Sequence, residues 1–151
     1  QAAGLPSTAL LFPLALRGSK GDEKALVRTV LSVDEKTSSM TVAGNIPSGA
    51  LAQLMHANFD RLIDGASGAA MATGGPREGA ESLTIAVSCV GRRLVLGERA
   101  DEEIEAAYSV LPKPTALVGF YSYGEISPHT TGHCDLHNQT MTLTNVWEGA
   151  A

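Results

Sequence analysis

The sequence is poor in aromatic residues, in cysteine and in clustered positive charge. Phe, Tyr and Trp make up 5% of its 151 residues, and Cys89 and Cys134 are its two cysteines. Two cysteines are too few for a disulfide framework, so we expect a reduced chain in the cytoplasm. The net charge is −5, and the 11 basic residues are scattered. Because nucleic-acid binding needs clustered Lys and Arg to displace counterions, we expect no nucleic-acid partner.

Long hydrophobic runs are also absent. No apolar stretch approaches the ~20 residues that a membrane-spanning helix needs, and Pro13 interrupts the apolar segment from Ala9 to Leu16. We therefore expect neither a membrane partner nor a secretory signal. The chain begins with Gln1 instead of Met, so we expect a fragment, an excised domain or a processed product. Its 16 glycines and few aromatic residues are typical of prokaryotic proteins rich in small side chains.

What remains is the composition of one globular domain. Apolar residues make up 44% of the chain and charged residues 18%, which excludes a disordered tail or a coiled coil. Residues 1–24 contain prolines and a glycine-rich turn, so they are predicted to be an irregular lead-in. Alternating apolar residues predict a β-hairpin over 25–44. An apolar stripe from Leu51 to Ile63, capped at Ser48, predicts the first helix.

The second half of the chain alternates strands with one more helix. Segments 82–90 and 115–126 are nearly continuous apolar runs and predict buried strands, and 134–147 predicts a last strand. Between the first two, Asp101 caps a helix that Pro112 ends. The order ββαβαββ predicts an α+β domain with two main helices and a mixed, largely antiparallel sheet. The two buried strands should be parallel neighbours joined by a right-handed crossover.

The segment PHTTGHCDLHNQT, residues 128–140, holds three of the four histidines. Histidine and cysteine are zinc ligands, but the residues after Pro128 are poor helix formers. In a strand, His133 and His137 share one face and Cys134 points away from them. We therefore predict a polar loop and a half-exposed strand with no metal ligands, and a zinc site stays open as the alternative.

Several separated segments together resemble one known family. They occur in the order expected for the FIST C-terminal domain, a sensory module of prokaryotic signal-transduction proteins. The similarity runs over residues 10–147 and implies a single FIST C-like domain at 25–147. The segments are FPLAL (12–16), AGNIPSGA (43–50), SCVGRR (88–93), GFYSYGEISP (119–128) and LHNQTMTLT (136–144).

The resemblance implies a non-catalytic sensory domain that binds a small metabolite such as an amino acid. It also implies a partner, either an N-terminal FIST domain or an output signalling domain. If such a partner is missing, the isolated chain should expose an apolar patch and form a homodimer through it. No cofactor is predicted. Because some members of the family are linked to haem, a haem-based gas sensor is an alternative, with His56 and His137 as axial candidates.

Polar residues near the ends of the predicted interior strands form a candidate ligand site. Arg92 is a natural partner for a carboxylate, and a buried Glu125 is suited to an amino group. Either His137 or the pair Asn138 and Thr140 completes the site, because neighbouring residues of a strand face opposite sides. The structural alternative is that Glu125 forms an ion pair with an arginine of the neighbouring strand.

An enzyme is a further alternative, using Cys89 or the pair Asp135 and His137. Cys89 lies in an apolar strand and is expected to be a small buried hydrophobic residue. No G-x-S-x-G nucleophile motif accompanies the acid–histidine pair. Glycine-rich nucleotide-binding motifs are absent as well. We expect the labelling rate of Cys89 to separate the enzyme from the sensor.

Overall fold

A computed structural model describes residues 7–18, 26–76, 79–128 and 134–149. In these ranges it contains ten strands and three α-helices, so the predicted α+β class is confirmed. The strands are β1 (Leu14–Arg17), β2 (Leu26–Arg28), β3 (Val30–Asp34), β4 (Ser39–Val42), β5 (Leu51–Leu54), β6 (Ser82–Cys89), β7 (Thr115–Ser122), β8 (Glu125–Pro128), β9 (Cys134–His137) and β10 (Met141–Trp147). The helices are α1 (Phe59–Ala72), α2 (Val90–Leu96) and α3 (Ala100–Val110).

The central sheet has the strand order β10-β6-β7. β6 is antiparallel to β10 and parallel to β7, and the parallel pairing was predicted. The prediction that both strands are buried was wrong for β7, which lies at the edge of the sheet and has no buried residue. Helices α1 and α3 pack together on one face of this sheet. Their contact is built from small side chains such as Ala66 and Ala107, both fully buried, which let the helices approach closely. None of the helices within the described ranges is long and apolar enough to cross a bilayer.

Three smaller sheets complete the fold, and β8 of one of them contacts β6. Their orders are β2-β1-β5, β3-β4 and β8-β9, and all their pairings are antiparallel. Arg28 Nη1 of β2 donates to the carbonyl of Leu136 in β9 at 2.8 Å. Gln139 Nε2 donates to the carbonyl of Leu10 at 2.8 Å. These contacts bring the start of the chain beside the loop that joins β9 to β10.

The first half of the chain departs from the prediction at two places. The lead-in contains β1, because Leu14 to Arg17 pair with β5 on one edge and β2 on the other. Residues Leu51–Leu54 form β5 instead of the first helical turns. Helix α1 begins later, where Asn58 Oδ1 accepts the backbone N–H of Arg61 at 3.0 Å. The physical reason is that pairing with β1 competes with helix formation in a segment whose apolar spacing suits both.

The second half agrees better, but the strands predicted over 115–126 and 134–147 are each divided in two, into β7 and β8 and into β9 and β10. β6 ends at Cys89, and the next residues form the short helix α2. Arg92 therefore belongs to a helix and not to a strand end. Helix α3 begins at Ala100, one residue before the predicted cap at Asp101, which lies in its first turn.

Candidate functional site

A cavity of about 220 Å³ opens beside the end of β6. Apolar side chains form most of its wall, with a few polar groups among them, which is the usual make-up of a small-molecule site. A larger hollow of about 970 Å³ lies at the opposite end of β6, but it is a shallow surface formed by strand ends. The smaller cavity is lined by Leu10, Thr29, Val30, Leu31, Ala43, Cys89, Val90, Gly91, Leu94, Tyr123 and Asn138.

Two buried polar residues line this cavity. Asn138 is 1% exposed; its Oδ1 accepts the backbone N–H of Thr29 at 3.3 Å, and its Nδ2 donates to the carbonyl of His137 at 3.2 Å. Thr29 is 5% exposed, and its hydroxyl has no hydrogen-bond partner among the described residues. Because buried polar atoms are nearly always satisfied, this hydroxyl has unused capacity for a bound molecule.

Cys89 contributes a buried thiol to the same wall. Its backbone N–H donates to the carbonyl of Thr140 at 3.1 Å, which ties β6 to the residue before β10. Burial raises the pKa of the Cys89 thiol, and the nearby Glu125 carboxylate raises it further. Hydrogen bonding from the backbone of Gln139 and Gly91 offsets part of the increase. The thiol is therefore protonated at neutral pH, which is unfavourable for a nucleophile.

Thiol labelling should separate the two cysteines. Cys134 is exposed and Cys89 is buried with a raised pKa, so we expect maleimide to modify Cys134 at least about tenfold faster at neutral pH, since the thiolate is the reacting form. A Cys134→Ser variant isolates the slow site for mass spectrometry. The labelling rate of Cys89 should rise only at pH values above the ordinary range for a thiol. Fast stoichiometric labelling of Cys89 at neutral pH would contradict this and favour the enzyme alternative.

Glu125 lies near enough to Cys89 to raise the pKa of its thiol, and it is 1% exposed. Its two carboxylate oxygens accept hydrogen bonds from the hydroxyls of Ser122, at 2.6 Å, and Thr140, at 3.0 Å. In the β8–β9 pair it stands opposite His137. In the part of the chain that the structure describes, no lysine or arginine lies within ion-pair distance of this carboxylate. Glu125 is thus a buried acid held by neutral donors.

Arg92 has a different partner from the one predicted. Its Nε donates to Glu103 Oε2 at 2.9 Å, and its Nη2 donates to the carbonyl of Leu62. Glu103, which is fully buried, also accepts the hydroxyl of Ser88 at 3.0 Å. Arg92 and Glu125 therefore do not share one ion pair or one cleft. The reason is that α2 turns Arg92 towards the helix side of the central sheet, whereas Glu125 begins β8.

The loop after β9 places the remaining predicted residues. In a regular strand His137 and Asn138 would face opposite sides. Both are buried, because β9 ends at His137 and Gln139 adopts a positive φ of 55°. This turn directs Asn138 into the cavity and Thr140 towards Glu125. Gln139 itself, 8% exposed and bonded to Leu10, was missed by the sequence reasoning.

The histidine-rich segment is described only in part. His129 and His133 lie outside the described residues, Cys134 is exposed, and His137 is buried. Asp135 shares a face of β9 with His137, and both have interaction partners. Across residues 7–18, 26–76, 79–128 and 134–149, no cluster of three ligating side chains could hold a metal ion.

Haem does not fit the cavity. A macrocycle of roughly forty non-hydrogen atoms needs several hundred cubic ångströms, more than the 220 Å³ available. His56 is exposed, and its ring packs edge-on against Phe12 with the centroids 5.3 Å apart. His56 lies between β5 and α1 and His137 ends β9, and neither residue lines the cavity.

Comparison with known proteins identifies the family. The sequence profile of the FIST C domain matches residues 1–128, which cover most of the chain and confirm the resemblance. The match ends before the segment 136–144. No curated protein and no solved structure shows a significant match. FIST C domains are sensory domains of signal-transduction proteins, in which they occur with other domains. The chain belongs to the FIST C domain family.

Proposed function

We propose that this sensory domain recognises a small metabolite that carries an amino group, such as an aliphatic amino acid. The observation that carries the proposal is Glu125, a fully buried carboxylate with no lysine or arginine partner in the described chain. Buried charges are normally paired, because desolvation is costly. Glu103 is equally buried and has Arg92. The ammonium group of a ligand would pair with the Glu125 carboxylate as Arg92 pairs with Glu103.

The cavity beside Glu125 has a suitable size. At ~30 Å³ for each water in the liquid, a volume of about 220 Å³ corresponds to roughly seven water molecules, or a ligand of about ten non-hydrogen atoms. Leu10, Val30 and Leu94 offer an apolar wall for an aliphatic side chain. The Thr29 hydroxyl and the Asn138 amide offer donors for a carboxylate, which replaces the role first predicted for Arg92.

Cys89 and Thr140 separate this cavity from Glu125. The Thr140 hydroxyl donates to the carboxylate at 3.0 Å, and its carbonyl accepts from Cys89. We expect the ligand ammonium to take the place of the Thr140 hydroxyl on Glu125. Thr140 immediately precedes β10, so this exchange would transmit binding to the edge of the central sheet, from which a partner domain can sense it.

Titration calorimetry with a panel of amino acids tests the proposal. We expect binding heat from aliphatic amino acids, weaker heat from the matching amines, and none from the matching carboxylic acids without an amino group. Glu125→Gln keeps the shape but removes the charge. Its amide oxygen can still accept one of the two hydroxyls, whereas its NH2 group can only donate to the other, so this variant should weaken binding by at least about tenfold. Glu98→Gln, at an exposed position, is the matched control and should bind normally.

Two results would contradict the ligand class. One is the absence of heat from every compound that carries an amino group. The other is equal affinity of the wild-type chain and Glu125→Gln for a compound that does bind, because the buried charge would then have no role in recognition.

The cellular setting forms part of the proposal. We place the domain in a cytoplasmic prokaryotic signalling protein, beside an N-terminal FIST domain or an output domain. Two features support this: FIST domains occur with other domains, and both Cys89 and Cys134 are free thiols.

A further inference from the structure

The central sheet has one face that no helix of the described residues covers. Thr84, Ala86 and Ser88 of β6 are buried on the side of α1 and α3, so the alternate residues point the other way. Strand pairing aligns them with their neighbours on β7 and β10 in three rows. We call this surface the open face. It consists of Leu83, Ala116 and Val146 in the first row, Ile85, Val118 and Thr144 in the second, and Val87, Phe120 and Thr142 in the third.

The open face is apolar and exposed. Phe120 is 61% exposed, Val118 53%, Val146 52% and Leu83 39%, and none of the nine side chains is charged. Taking ~150–250 Å² for a fully exposed large side chain, these four exposures amount to roughly 300–500 Å². That area is typical of the largest apolar patch of a monomer, and such a patch is often functional.

The face is complementary to itself. Consider two copies stacked face to face and related by a two-fold axis that runs along the second row, between the two sheets. Each strand then lies over its equivalent in the other copy and runs antiparallel to it. The first row of one copy then lies over the third row of the other. On β7 this sets Phe120 against Ala116, a large side chain over a small one, while Val118 meets its own equivalent. Packed sheets interdigitate side chains in this way, with strands about 30° apart.

The charges near the face favour the same arrangement. Glu81 and Glu148 both lie at the first-row end, directly beside Leu83 and Val146. In the antiparallel stack these acidic ends lie at opposite ends of the interface, so a chain with a net charge of −5 avoids direct repulsion there. Roughly 300–500 Å² from each copy gives a total of roughly 600–1,000 Å², the size of weak and transient interfaces. We propose that the open face joins two copies of this chain in a weak, two-fold symmetric dimer.

Sedimentation equilibrium in reducing buffer, from about 1 to about 100 µM, tests the dimer. We expect monomer at the low end and substantial dimer at the high end, as a small interface implies. Phe120→Glu places a charge in the face and should weaken dimerisation by at least about tenfold. Met71→Glu changes a side chain of similar exposure, 63%, on α1, and should leave dimerisation unchanged.

A cross-linking variant locates the contact. Val118→Cys in a Cys134→Ser background should form a symmetric disulfide or short bis-maleimide cross-link, because Val118 faces its equivalent across the axis. Met71→Cys in the same background should not. A chain that is monomeric at every concentration, or a dimer that Phe120→Glu and Met71→Glu affect equally, would overturn the proposal. Efficient cross-linking at Met71 with none at Val118 would do the same.

Discussion

Replacing Arg92 by methionine is expected to lower the free energy of unfolding by about 3–5 kcal/mol. The change leaves the fully buried Glu103 carboxylate without its cation and removes a donor from the carbonyl of Leu62. Methionine fills a similar volume, so the loss measures the unpaired charge and not a cavity. Urea denaturation followed by circular dichroism gives the free energy directly.

Two further variants make this prediction specific. Arg99→Met breaks the contacts of a partly exposed arginine with Asp60 and Glu102 and should cost less than about 1 kcal/mol. The double variant Arg92→Met/Glu103→Leu removes both buried charges and should recover most of the lost stability, since apolar replacements of buried ion pairs are often neutral. A loss for Arg92→Met as small as that for Arg99→Met would show that the pair is not desolvated.

Replacing Gly119 by alanine should be similarly disruptive in β7, at the edge of the central sheet. A Cβ atom at this position of β7 would overlap the carbonyl oxygen of Ala86 in the neighbouring strand. Backbone cannot move aside as a flexible side chain can, so we expect a loss of about 3 kcal/mol or more. The thermal unfolding midpoint and the urea midpoint should both fall.

Gly68→Ala is the matched control for this change. Gly68 lies inside α1, and a Cβ there would meet nothing within 4 Å. Alanine restricts the unfolded chain and favours helix, so this variant should gain about 0.5–1 kcal/mol. The same substitution is therefore expected to destabilise the protein at Gly119 and to stabilise it at Gly68. A Gly119→Ala protein as stable as the wild type would mean that β6 and β7 are not packed in the described register.

The sequence correctly predicted those elements whose local pattern suits one type of secondary structure and not another. The apolar run from Ser82 to Cys89 was correctly predicted to be a central strand, since β10 and β7 pair with β6 on its two sides. The parallel pairing with β7 follows from the helix between them. The segment from Leu51 to Leu54 was mispredicted because its leucines suit both a helix and a strand. Its partner, β1, lies more than thirty residues away in sequence.

The candidate site shows a similar division. The sequence predicted a site at Glu125 with either His137 or the pair Asn138 and Thr140. In the structure Thr140 donates to Glu125 and His137 lies opposite it, whereas Asn138 lines the cavity. The sequence prediction assigned Arg92 to the same site because nothing in the sequence marks Glu103 as its partner. Glu103 resembled an ordinary acidic residue of a first helical turn, and only the packing of α2 against α3 makes it the buried counter-charge.

The sequence by itself determined the family, the α+β class and the residue types available for a site, because motif order, hydrophobic period and composition are local properties of the chain. Tertiary structure alone decided which charges are paired, which loop lines the cavity and which sheet face stays open. Those outcomes depend on contacts between distant segments, such as Arg28 with Leu136 or Gln139 with Leu10. Their free energies are set by burial, and burial does not exist until the chain has folded.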